Sequence, residues 1–196
     1  MKPIDQFQEI IVNKLITLLE AHNYQPLVKS FWRPFIGYRK VYAPILDIAV
    51  GPYAIENGTD FSGAYIMMSK KMQSIIETWK SASDNNYKLY VRDILRAEPE
   101  IYSQDLIYSS NNNPRCFIAI EIENTNSKKH QMGSIINLAA LGHVGIFVAW
   151  QDAALRTAMR MREYFDLLKG YGKPSFNINN VIIISKEQLL DSLKPF

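Results

Sequence analysis

Near the start of the chain Phe7, Ile10, Ile11, Leu15, Leu18 and Leu19 recur three and four apart until Asn23, behind an Asp5 and Gln8 pair with capping-box spacing. This predicts a first helix over residues 5–22. The next stretch, YQPLVKSFWRPF, mixes aromatic and polar residues around two prolines, which leaves room for a short edge strand. YRKVYAPILDIAVGP then shifts to a Val-, Ile- and Tyr-rich strand pattern that stops at Gly-Pro. Period two places Ala43, Ile45, Asp47 and Ala49 on one face and Tyr42, Leu46, Ile48 and Val50 on the other. Asp47 therefore falls mid-strand among apolar neighbours.

Residues 52–115 read as an insertion. Behind Thr59 or Asp60 as cap, Phe61, Tyr65, Met68, Met72, Ile75 and Trp79 form a heptad-like stripe, which suits one core-facing helix better than a dimer seam. That helix is expected to end in SASDNN; residues 87–110 match no single pattern, and NNNPR is a loop. From Cys116 the chain is more regular. CFIAIEIE is a strand, a helix capped by Asn126 or Ser127 and closed by Gly142 follows, and HVGIFVAW is an apolar run suited to burial on both faces. A helix over 152–168, the strand VIIIS and the short helix KEQLLDSLK complete the chain. Strand, helix, strand, helix, strand, helix implies parallel crossovers, and so an α/β sheet.

Composition narrows the class without naming a chemistry. The 196 residues suit one domain with an elaboration, and 47% hydrophobic with 21% charged residues are globular values. Cys116 is the single cysteine, which excludes an internal disulfide and a thiolate-rich zinc site. Polar interruptions in the first twenty residues leave no signal-peptide core, and no run reaches the roughly 18 apolar residues of a membrane span, so a cytoplasmic protein without membrane partners is expected. A net charge of +3 does not by itself nominate nucleic acid.

Candidate chemistry sits at the end of the CFIAIEIE strand. Period two sets Cys116, Ile118, Ile120 and Ile122 against Phe117, Ala119, Glu121 and Glu123, so both carboxylates leave one face, about 7 Å apart at Cα. Like charges that close need a cation or a basic cluster. If the Asp47 strand lies alongside in register, three carboxylates converge, and oxygen-only ligands suit Mg2+, Mn2+ or Ca2+. Lys128 and Lys129, in the first turn of the following helix, oppose its dipole unless a phosphate binds there. Gln131 shares a stripe with Ile135 and Leu138 that points to the sheet. The competing account is a solvent-facing strand end whose glutamates pair weakly with the two lysines. Arg39 and Lys40, with Arg33 and interleaved Trp32, Phe35 and Tyr38, suit either nucleic-acid contact or an edge strand. The three histidines lack metal-ligand spacing.

PILD, residues 44–47, and IEIEN, residues 120–124, with a polar-started helix and a hydrophobic strand after them, resemble the PD-(D/E)XK nuclease superfamily. The resemblance implies a restriction-endonuclease-like mixed sheet flanked by helices, as one nuclease-like domain over residues 1–196 with a largely helical insertion at 52–115. It implies Mg2+- or Mn2+-dependent phosphodiester hydrolysis, an endonuclease acting on DNA, possible homodimerisation, and Asp47 and Glu121 as metal-binding acids. Glu123 stands where that family usually has lysine, as a further ligand or proton acceptor. Lys128 or Lys129 would reach the phosphate in the absent lysine's place, and Glu9 matches a helical acid ahead of the first strand. A catalytically inactive member serving as a nucleic-acid or protein interaction module is the alternative.

Overall fold

The computed structural model describes residues 2–21, 27–34, 44–54, 62–96, 108–172 and 177–194. Helix α1 (Pro3–Ala21) precedes strands β1 (Val28–Trp32) and β2 (Leu46–Val50). Helices α2 (Ser62–Lys71) and α3 (Gln73–Tyr90) follow, ending in a π-helical turn, Val91–Leu95. Then come β3 (Cys116–Glu123), α4 (Lys128–Leu141), β4 (Gly142–Ala149), α5 (Asp152–Gly170), β5 (Val181–Ser185) and α6 (Lys186–Ser192). The five strands form one open mixed sheet in sequence order. β1, β2 and β3 are antiparallel neighbours, while β3, β4 and β5 run parallel.

Two apolar layers sandwich the sheet. Ile48, Ile120, Ile146 and Ile184 face α1, α2, the first half of α3 and α6; Ala49, Ala119, Phe147 and Ile183 face α4, α5 and the end of α3. Ile11, Leu15 and Leu19 of α1 are almost fully buried, each stabilising by about 1.5–3 kcal/mol. The Tyr65, Met68, Met72, Ile75 and Trp79 stripe is buried too, so it faces the core as expected, but it is carried by two helices rather than one, since the chain turns at Met72 (φ −94°, ψ 11°) between α2 and α3. Thr59, Asp60 and Phe61 lie outside the described residues.

The expected stop at SASDNN is corrected. The helix runs on to Tyr90, because two of those polar residues serve the sheet: Ser83 Oγ accepts from Ile183 N at 3.1 Å, and Asn86 Nδ2 donates to Ile183 O at 3.2 Å. α3 thus lies along the outer edge of β5, its early turns in one apolar layer and Tyr87 and Tyr90 in the other. Those two bonds satisfy the N–H and C=O of Ile183, and Arg162 donates to Val181 O, so this stretch of edge does not present unpaired backbone groups.

Gly142 caps α4 as expected, its N–H donating to Leu138 O, but not in a left-handed turn. It is extended, φ −90° and ψ 141°, and opens β4. Its role is close approach, since a Cβ there would meet Val144 O at 2.6 Å and Ala119 Cβ at 2.9 Å. The alternation expected for β3 also breaks at its start. Cys116 joins the α4 and α5 layer, while Phe117 turns to the other and stacks on His143, ring centroids 5.9 Å apart. Burial pushes the Cys116 thiol far up, which keeps it an inert apolar group.

Candidate functional site

The antiparallel β2 and β3 pair fixes the position of the acids. Ile48 pairs with Ile120 and Ala49 with Ala119, so one step along the ladder Asp47 stands opposite Glu121. Ala49 and Ala119 face the α4 and α5 layer, and period two brings both carboxyls to that side. Asp47 Oδ2 accepts from Ile122 N at 2.7 Å, which ties the carboxyl to the end of β3.

Glu121 is only 9% exposed, and its carboxyl is pushed from 4.5 up to about 9. Burial is the main cause; the charges of Asp47 and Glu123 add to it, and a hydrogen bond from Asn137 opposes it. Burial likewise raises Asp47, partly offset by the bond from Ile122 N; Glu123 raises it further, and the hydrogen bond with Glu121 lowers it. The proton therefore resides on Glu121, whose O–H donates to the Asp47 carboxylate. Two carboxyls this close do not both ionise in a dry site without a positive partner.

Glu123 is half-buried and turned to other partners. Its Oε1 accepts from Thr125 N at 3.1 Å and its Oε2 from Ser134 Oγ at 3.2 Å. Gln131 is fully buried, as its stripe required; its Nε2 donates to Thr125 O at 2.7 Å, and its Oε1 has no hydrogen-bond partner. Gln131, Ser134 and Asn137 recur three apart on α4 and serve, in turn, the loop, Glu123 and Glu121.

Gln8 completes the surroundings from α1. It is 5% exposed, and its Nε2 donates to Asp47 O at 2.6 Å. Its neighbour Glu9 points into solvent and belongs to no such contact. Lys128 and Lys129 are both exposed in the first turn of α4. Arg39 and Lys40 lie outside the described residues. Sequence reasoning missed Gln8, Ser134 and Asn137. Gln8 was findable from its place between Phe7 and Ile11 on the buried stripe, and the other two from their spacing with Gln131.

The donor set is all hard oxygen, which fits a divalent cation such as Mg2+ or Mn2+ rather than zinc. Asp47 and Glu121 are the pair that would hold it, and the orphaned Gln131 Oε1 is a buried acceptor on the neighbouring helix. Among the described residues no three His, Cys, Asp or Glu side chains gather tightly enough to ligate one ion, and Glu123 is engaged by Thr125 and Ser134. Among those residues, too, no helix is long and apolar enough to cross a membrane. Comparison with protein families, curated proteins and solved structures returns no match.

Proposed function

We propose that this chain is a metal-dependent nuclease of the PD-(D/E)XK, restriction-endonuclease-like kind, an endonuclease hydrolysing phosphodiester bonds in DNA. The observation that carries the proposal is the Asp47 and Glu121 pair, opposed across two antiparallel strands, with both carboxyls pushed up by burial. The order helix, three antiparallel strands, crossover helix and parallel strand supports it, with α2 and α3 inserted between β2 and β3.

In this account Asp47 and Glu121 bind Mg2+ or Mn2+, which supplies Lewis acidity to the scissile phosphate and a lowered pKa to bound water. Gln8 and Ile122 N–H hold Asp47 in place, and Asn137 does the same for Glu121. Glu123, ordered by Thr125 N–H and Ser134, is the group placed to accept a proton. Lys128 and Lys129 attract the phosphate at the α4 N-terminus.

One observation favours the second account, an inactive nuclease-like fold acting as an interaction module. Glu123 stands where a lysine is usual, and both of its carboxylate oxygens are engaged, one by Thr125 N–H and one by Ser134 Oγ. Plasmid nicking with Mg2+ or Mn2+ and an EDTA control decides between them. Activity lost in both Asp47→Ala and Glu121→Ala, with the fold intact by circular dichroism, supports the nuclease. Wild-type protein that neither nicks DNA nor gains thermal stability with either metal supports the module.

A further inference from the structure

The β1 strand carries a residue that neither packing nor the carboxyl site explains. Phe31 is 61% exposed and has φ 49°, in the left-handed region that bulky side chains avoid. Holding it there costs on the order of 1–2 kcal/mol, and leaving the ring in water forfeits a further apolar contribution. It is not a turn residue, since Ser30 pairs with Ile48 and Trp32 with Leu46 on either side. That register sets Phe31 opposite Asp47, so Phe31, Asp47 and Glu121 form a row across three strands. The strained residue is next to the acids.

Its neighbours are cationic. Lys29 and Arg33, two positions to each side, are exposed, and β1 itself contains no acidic residue. Among the described residues no carboxylate pairs with either; the Lys29 ammonium lies 4.6 Å above the Tyr53 ring. Trp32 is buried against that same Tyr53, ring centroids 5.0 Å apart, which anchors the strand beneath the exposed ring. An exposed aromatic between two cations that no described carboxylate neutralises combines stacking with phosphate neutralisation, the pairing that single-stranded nucleic-acid binders use.

The geometry points to β1 as a stacking surface for an unpaired nucleic-acid base, with Phe31 beneath the base and Lys29 and Arg33 on the flanking phosphates. It rests on the nuclease account for the place of the scissile phosphate, beside Asp47 and Glu121. It extends that account by naming the substrate form: a strand whose base is splayed or unpaired about one nucleotide from the carboxyl pair, given a strand spacing near 5 Å. A protein partner would have to supply carboxylates to match Lys29 and Arg33, whereas a nucleic acid brings an anionic backbone and a stacking base in every nucleotide. The cations and the ring together favour nucleic acid.

The test separates strain from contact. Phe31→Gly relieves the backbone, so it is expected to fold with a Tm equal to or above wild type. Phe31→Trp keeps a stacking plane. Binding is read in EDTA by anisotropy and 2-aminopurine quenching, using a single-stranded oligonucleotide and its duplex. Wild type and Phe31→Trp are expected to quench the single strand, with Phe31→Gly weakened roughly 5- to 150-fold, the equivalent of one lost stack. Phe31→Gly binding within twofold of wild type, no binding by wild type, or a preference for duplex would each overturn the proposal. Nicking is scored separately. Stacking without nicking sinks the nuclease and keeps the surface, whereas nicking that is indifferent to Phe31→Gly, with no quenching, does the reverse.

Discussion

Replacing Glu121 with glutamine isolates the cost of its proton. In the folded chain this carboxyl holds its proton up to about pH 9, against an ordinary value of 4.5. Below pH 4.5 it is neutral folded or unfolded and costs nothing. Between 4.5 and 9 the unfolded chain releases the proton while the folded chain keeps it, so stability falls as pH rises. At pH 7 the gap is two and a half pH units at about 1.4 kcal/mol each, or about 3 kcal/mol; at pH 5 it is below about 1 kcal/mol. Glutamine mimics the protonated acid. Its N–H donates to Asp47 where the O–H did, its carbonyl accepts from Asn137, and nothing titrates. Glu121→Gln is therefore expected to be more stable than wild type at pH 7 by up to about 3 kcal/mol, a Tm rise of about 6–12 °C for a chain of this size. The gain should fade towards pH 5. Metal-free thermal unfolding across pH 5–8 reads it directly. A wild-type Tm that does not fall as pH rises, or a glutamine variant no more stable than wild type at pH 8, would refute the argument.

A cation must displace that same proton, so apparent affinity for Mn2+ should rise roughly tenfold per pH unit, about 100-fold from pH 6 to pH 8, by calorimetry. Equal affinity at both pH values would exclude Glu121 as a ligand. Asn86→Leu strips a donor from Ile183 O and a partner from Gln188, and is expected to lower stability by about 1–3 kcal/mol in urea unfolding. Gly145→Ala would place a methyl 2.9 Å from Leu138 Cβ, forcing α4 away from β4 at a cost of about 1–3 kcal/mol, visible as a lower denaturant midpoint.

The strand and helix order from residue 116 onward was legible because apolar runs of different period alternate there without interruption. Asp47 and Glu121 were legible for a related reason: an acid on an otherwise apolar strand face has few structural explanations. The supporting amides were not. Gln8, Ser134 and Asn137 are ordinary helix residues until a neighbouring strand end supplies a carbonyl or carboxylate. Ser83 and Asn86 read as a helix stop, since a polar cluster facing water and one facing an open strand edge are written alike. Gly142 reads as a helix terminator and is one, but its second use, the close approach of β4 to β3, is not written in the residue type. The left-handed φ of Phe31 leaves no mark in the residue type at all.

The two bonds from α3 to Ile183 link residues 97 and 100 positions apart. Contacts so distant along the chain form late in folding, after shorter loops have closed. During synthesis α3 emerges well before β5, so β5 meets its cover on arrival and spends little time as a bare edge. Refolding from denaturant offers no such order. Every part of the chain is present at once, and β5 must wait for α3 while other molecules compete for the same edge. Refolding yield should fall as protein concentration rises, and more steeply for Asn86→Leu than for wild type.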